Sequence, residues 1–176
     1  MYINPVSNMN SVARIISGED VKQFSNDKLF EYATKVSEGL AEHPYTMVQF
    51  NPRQLVEVIK EGRTILCLDE NGNLFSFGQI WHYGESPQGQ AIKEFGSWIS
   101  FQEGGFGVLV LKAARELHSF LYPDSKFVAI VEIENKKAQK VIEELLKVKS
   151  EPTYSKFLKT KDGKSALMKL YDITRI

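Results

Sequence analysis

The period of the apolar positions changes several times along the chain, and each change marks an element. The first dozen residues read as a loose arm leading into a short strand near Val12–Ile16. Leu29, Ala33, Val36 and Leu40 then recur at helical spacing, with Ser25 or Asn26 as cap and with Gly39 and Pro44 as the stop. A second helix is bounded more sharply: Asn51 caps it, Pro52 suits its first turn, and Leu55, Val56 and Ile59 form its stripe. Gly62 supplies its left-handed end.

Strand patterns follow. Arg63–Asp69 is a short apolar run, and Asn71-Gly72 is the strongest hairpin signal in the sequence. The return strand, Asn73–Tyr83, alternates through Phe75, Phe77, Gln79 and Trp81 on one face. After the polar loop Gly84–Gln90, Ile92–Phe101 reads as a third antiparallel strand. A glycine-rich turn leads into an apolar helix ending near Tyr122, where Pro123-Asp124 stops it. Phe127–Ile133 has the continuous apolar character of a central buried strand. Asn135 begins a helix carrying Ala138, Val141, Ile142, Leu145 and Val148. Two last strands, near Tyr154–Lys161 and Ser165–Thr174, are joined by Asp162-Gly163. The predicted order is β-α-α-β-β-β-α-β-α-β-β, an α/β layout with a mixed sheet.

With 176 residues, 43% hydrophobic and 25% charged, the chain matches one globular domain. Its 22 basic and 22 acidic residues cancel, which argues against a nucleic-acid-binding surface. The balance is uneven along the chain, because Lys136–Ile176 holds 11 Lys and Arg against 5 Asp and Glu. That excess is either a solvated face or a surface turned to an anion. Cys67 is the only cysteine and sits in an apolar run, so core filler is expected and disulfides are not. His43, His82 and His118 have no mutual metal spacing. No signal-peptide order and no span-length apolar stretch are present, so a cytoplasmic protein is expected.

The sharpest chemical signal is Gln102-Glu103-Gly104-Gly105-Phe106-Gly107, between a predicted strand and a predicted helix. The first amides of a helix lack carbonyl partners, and its dipole adds about half a positive charge there. Glycines let the backbone approach a pyrophosphate with no Cβ in the way. The plain alternative is a tight strand-to-helix turn. No Gly-Lys-Ser/Thr closes this glycine-rich turn, so it is not a triphosphate P-loop. Val110 stands where a dinucleotide fingerprint needs Gly or Ala.

This segment resembles the acyl-CoA loop of the GNAT superfamily of N-acetyltransferases, Gln/Arg-x-x-Gly-x-Gly/Ala. Gln102, Gly105 and Gly107 occupy its three fixed positions. Asn135-Lys136-Lys137-Ala138 is similar to the family's Asn-x-x-Ala after the next strand, and the element order agrees over nearly the whole chain.

The resemblance implies one GNAT-like domain over residues 1–176, a mixed and strongly twisted α/β sheet with splayed central strands and flanking helices. It implies acetyl-CoA as co-substrate and no metal. Amides of Glu103, Gly104, Gly105, Phe106, Gly107 and Val108 would hold the pyrophosphate. The pantetheine arm would pair with the strand edge at Trp98, Ile99 and Ser100, in the manner of an added strand, and Asn135 would contact it near the thioester. An acceptor amine, on a small molecule or a peptide, then attacks the acetyl carbonyl in a ternary complex. Membrane and nucleic acid are not expected as partners, and a homodimer is left open.

Glu94 is the candidate base, with a solvent-facing strand residue as its plain reading and His82 as runner-up. The family's acid Tyr, seven residues after the Asn, is Ile142 here, which leaves Tyr154 or Tyr83 to serve the leaving thiolate. The stretch from Glu94 to Gln102 is also shorter than the family's pattern and lacks its Pro-Asp/Glu. These departures admit a second reading, a catalytically silent GNAT-fold module that binds CoA or a protein. Trp81, Tyr83 and Trp98 are either acceptor-pocket walls or core, and Gly84–Gln90 is a candidate acceptor loop.

Overall fold

A computed structural model of the chain describes residues 2–3, 13–45, 47–101, 106–159 and 162–176. Among the described residues, eight strands form one sheet in the order β1-β2-β3-β4-β5-β6-β8-β7. In chain order they are β1 (Tyr2–Ile3), β2 (Ala13–Ser17), β3 (Thr64–Leu68), β4 (Leu74–Glu85), β5 (Ala91–Ser100), β6 (Lys126–Glu132), β7 (Ser150–Lys159) and β8 (Ser165–Asp172). Every neighbouring pair is antiparallel except β5 and β6. A parallel pair needs a crossover, and α3 (Gly107–Leu121) supplies it. The mixed α/β sheet expected from the sequence is the one observed.

The sheet separates two cores, and the strand period decides which residue enters which. Ile15, Ile65 and Cys67 face α3, whereas Ile16, Leu66 and Leu68 face α1 (Asn26–Glu42) and α2 (Pro52–Lys60). All five residues of β3 are buried. On β4 the simple alternation expected from the sequence fails at one place. The β3–β4 register shifts between Cys67 and Leu68, leaving Phe75 as an extra residue on β4. Phe75 therefore packs in the α3 core, and Leu74 and Phe77 in the other.

Ser25 is the cap of α1, its hydroxyl accepting from the Lys28 amide at 3.2 Å. Gly39 does not stop α1 as expected; it lies inside the helix. A Cβ there would stand 2.6 Å from the Phe101 ring, so the glycine is a packing feature. The helix ends at Glu42, with His43 extended ahead of Pro44. Asn51 and Gln54 form a reciprocal capping box on α2, and Gly62 takes φ +75° as expected.

The last helix is shorter than its apolar pattern suggests. It runs as α4 (Lys136–Lys140) into a single π turn, Val141–Leu145. Lys147 at φ +58° then reverses the chain, and the Val148 amide donates to the Ile142 carbonyl at 3.1 Å. Val148 thus leaves the helix, and β7 begins earlier than expected, at Ser150. Pro152 is tolerated in β7 because that strand is a sheet edge. Glu143 ties the π turn to β8, accepting from Tyr171 Oη at 2.7 Å and Lys169 Nζ at 2.9 Å.

His118 on α3 is 2% exposed, stacked on Phe127, and bonded through Nε2 to Ser125 Oγ at 2.7 Å. Burial, with a smaller contribution from the Lys93 charge, lowers its pKa from 6.5 to about 4. The unfolded chain therefore binds the extra proton between those values. Stability from this site is complete above about pH 6.5 and falls as the pH drops toward 4. The difference is on the order of 3 kcal/mol. His118→Gln is expected to flatten this part of the stability curve, as measured by urea unfolding from pH 7 to 4.5; parallel curves for both proteins would contradict it.

Candidate functional site

The central strands do not stay together. β5 and β6 pair over Ile92↔Lys126 to Phe95↔Ala129 only, yet β5 continues to Ser100 and β6 to Glu132. On its other side β5 remains paired with β4 as far as Ser76↔Ser100. A bulge marks the divergence. Gln79 pairs with Gly96 and Phe77 with Ile99, so Ser97 and Trp98 together oppose Gly78. Such a bulge bends and twists its strand, here away from β6.

Beyond the bulge, Phe101 donates its amide to Phe75 O at 2.7 Å, and Ile99 O accepts from Ser76 Oγ at 2.9 Å. These two residues direct their main chain toward β4. By the alternation of an antiparallel ladder, Ser100 between them turns its N–H and C=O toward the gap.

The gap opens into a cavity of about 480 Å³. Trp98 and Ser100 of β5 form one wall, and Ile130, Val131 and Glu132 of β6 form the opposite one. Phe106, Gly107 and Val108, at the start of α3, close one end. Phe106 brings no side-chain acceptor to cap α3, so the first-turn amides have no partner from it or from within the helix. Gly107 is tightly flanked, since a Cβ there would meet Val141 at 3.1 Å and Trp98 at 3.3 Å. A positive helix terminus and an unpaired strand edge thus face one apolar-walled space.

No family model matches the sequence, and no curated protein matches it by sequence. Solved structures do match in shape. The Salmonella typhimurium protein yncA, solved with its cofactor acetyl-CoA, is 10% identical with a TM-score of 0.65, over 93% of this chain and 95% of that one. A dodecameric spermidine N-acetyltransferase from Vibrio cholerae is 15% identical with a TM-score of 0.60, over 92% and 94%. A GNAT-family acetyltransferase from Streptococcus pneumoniae is 15% identical with a TM-score of 0.57, over 90% and 97%. The chain has the GNAT acetyltransferase fold.

Within this GNAT fold, several residues singled out from the sequence converge on the slot. Trp98, Ser100, Phe106, Gly107, Val108, Asn135 and Glu94 all line the cavity. Ile99 does not: it is 3% exposed in the α1/α2 core and its carbonyl faces β4. Gln102, Glu103, Gly104 and Gly105 lie outside the described residues. Asn135 caps α4, its Oδ1 accepting from the Ala138 amide at 3.2 Å. Gln139 closes the end of β6 by donating to Glu132 O and Ile133 O at 3.1 and 2.7 Å.

Glu94 is 7% exposed, so it is not the solvent-facing residue of its plain reading. It sits across the β4–β5 ladder from Trp81, another cavity residue. Tyr83 also lines the cavity. Burial raises its phenol pKa, a hydrogen bond with Thr153 opposes that, and the Glu94 charge adds to the rise, so Tyr83 remains a protonated donor. Tyr154 is elsewhere, 65% exposed on β7 and outside the cavity lining. His82 is exposed as well, because strand alternation turns Trp81 and Tyr83 inward and His82 outward. The Gly84–Gln90 segment is mostly strand and tight turn, closed by the Ser86 amide on Gln90 O at 2.8 Å, and it does not reach the cavity. Cys67 is buried, with its thiol pushed up to about 12. Among the described residues no group of three His, Cys, Asp or Glu could hold a metal, and no helix is long and apolar enough to cross a membrane.

Two features of the site were missed from the sequence. His43, Pro44, Tyr45, Met47 and Val48, between α1 and α2, form a wall of the cavity. Burial lowers the pKa of His43, whose Nδ1 accepts from the Tyr45 amide at 3.2 Å. Nothing in that loop's composition announces the role. Gly78 and Gly96 did carry a signal, since an isolated strand glycine marks a bulge or a close approach. Cβ atoms at these positions would lie 2.1 Å from the Phe95 ring and 2.4 Å from the Trp81 ring. Gly96→Ala is therefore expected to displace Trp81, with destabilisation of about 1–3 kcal/mol and a red-shifted tryptophan emission. Unchanged unfolding and emission would contradict the packing described.

Proposed function

We propose that this chain is an acyl-CoA-dependent N-acyltransferase that moves an acetyl group from acetyl-CoA to a primary amine. The observation that carries this is the divergence of β5 from β6 beside the start of α3. Pantetheine is an extended chain bearing amides, and the Ser100 edge offers it ladder hydrogen bonds as an added strand would find them. The first-turn amides of α3, which have no acceptor within the helix, suit the diphosphate, and Lys137 adds a cation at the cavity wall. Asn135 lies where the arm approaches the thioester. The acetyl-CoA found with the Salmonella neighbour supports the same co-substrate.

The acceptor reaches the thioester from the side of Trp81, Tyr83 and His43. An amine is a nucleophile only when neutral, so its proton must leave first. Glu94, buried in the wall, takes that proton directly or through water. The nitrogen then bonds to the acetyl carbon, the C–S bond breaks, and the Tyr83 phenol protonates the departing thiolate. The cavity's aromatic walls and few charges suit a compact amine. The spermidine acetyltransferase neighbour makes polyamines a second class to include in any acceptor panel.

Calorimetric titration with acetyl-CoA is expected to give one site per chain with micromolar affinity. No heat at millimolar ligand, with the chain folded, would overturn the proposal. Glu94→Gln is expected to lower kcat/KM by about 100-fold while leaving the acetyl-CoA affinity intact; unchanged turnover would remove Glu94 from the base role. The silent-module alternative is favoured by Ile142, buried where the resemblance places an acid tyrosine. CoA release above background with any amine excludes it.

A further inference from the structure

The bulge that opens the slot contains a buried polar pair. Gln79 is 1% exposed and Ser97 is 6% exposed, and Gln79 Nε2 donates to Ser97 Oγ at 2.8 Å. Ser97 has φ +51°, one of two non-glycine residues with positive φ among those described. Serine adopts this conformation reluctantly, because its Cβ crowds the following carbonyl. A hydroxyl and an amide buried in a sheet are costly unless they satisfy each other. Each of these costs is avoided by an ordinary strand, so their joint presence at the bulge points to a purpose there.

The register shows what the bulge controls. Without it, β5 beyond Gly96 would shift by one position against β4, and every side chain after the shift would change face. Trp98 would leave Phe95 and Gly107, which it now packs against. Ile99 would leave the α1/α2 core, and Ser100 would turn its main chain from the gap toward β4.

We propose that Gln79 is a positioning residue: its amide holds Ser97 in the left-handed conformation and so maintains the bulge that presents the Trp98–Ser100 edge to acyl-CoA. This rests on the reading of the slot as the acyl-CoA site. Gln79 touches no reacting atom and acts through Ser97 alone.

The test compares Gln79→Leu, Ser97→Ala and Ser97→Gly by acetyl-CoA titration, by amide hydrogen exchange without ligand at Ile99 and Phe101, whose main chain is held to β4, and by thermal unfolding. Gln79→Leu and Ser97→Ala are expected to weaken acetyl-CoA binding about tenfold and to speed exchange at Ile99 and Phe101. Ser97→Gly also loses the hydroxyl but accepts positive φ freely, so its affinity is expected within about threefold of the parent. A purely structural hydrogen bond would make Ala and Gly equally harmful, and that result overturns the proposal, as does parent-like behaviour of all three. Should Gln79→Leu fail to fold, the contrast between the two Ser97 variants decides. Should the parent bind no acetyl-CoA, the functional reading fails and the exchange data alone decide: faster exchange in Ser97→Ala but not Ser97→Gly supports the lock, and equal exchange refutes it.

Discussion

One residue too many on β5 sets the character of this molecule. An antiparallel ladder on the β4 side is kept through the bulge at Ser97 and Trp98, so β5 cannot also follow β6 past Phe95. The consequence is main chain that no strand satisfies, held against a largely apolar cavity in the middle of the sheet. Unpaired backbone in such a place is stable only if water or a ligand pairs it. An extended molecule carrying its own amides is a natural occupant.

The surroundings hold this gap open from both faces. On one face α3 packs Val110, Leu111, Ala114 and Leu117 into the core and so fixes the height of its own first turn at the cavity mouth. On the other, α1 lies close over the end of β5 because Gly39 has no side chain to hold it off Phe101. The Glu143 contacts with Lys169 and Tyr171 fasten the π turn to β8, and Val141 in that turn meets Gly107. The described walls of the slot are thus tied to strands and helices.

Much of this was legible in the sequence, and the failures have physical causes. Element types followed from apolar period, and caps such as Asn51 and Asn135 fell where a side-chain oxygen could reach an orphan amide. Splayed strands followed from the GNAT resemblance rather than from any periodicity, because a bulge is invisible to a hydrophobic pattern. The same blindness misplaced Phe75, which changes core through a one-residue shift. Ile99 was grouped with Trp98 and Ser100, although strand alternation sends it the other way. Tyr154 and Tyr83 were both candidate phenols, with Tyr154 put first, yet Tyr83 lines the cavity and Tyr154 is exposed on β7, a difference that no pattern of letters carries. The wall of His43, Pro44, Tyr45, Met47 and Val48 had no local mark, since its role comes from where α1 happens to end.

The most direct check is a crystal structure of the chain grown with CoA. The expected density runs as an extended arm between β5 after Phe95 and β6 after Ala129, hydrogen-bonded to Ser100, with the diphosphate at the amides of Gly107 and Val108. CoA bound elsewhere, or β5 and β6 found paired along their whole length, would contradict the assignment of this gap as the acyl-donor site.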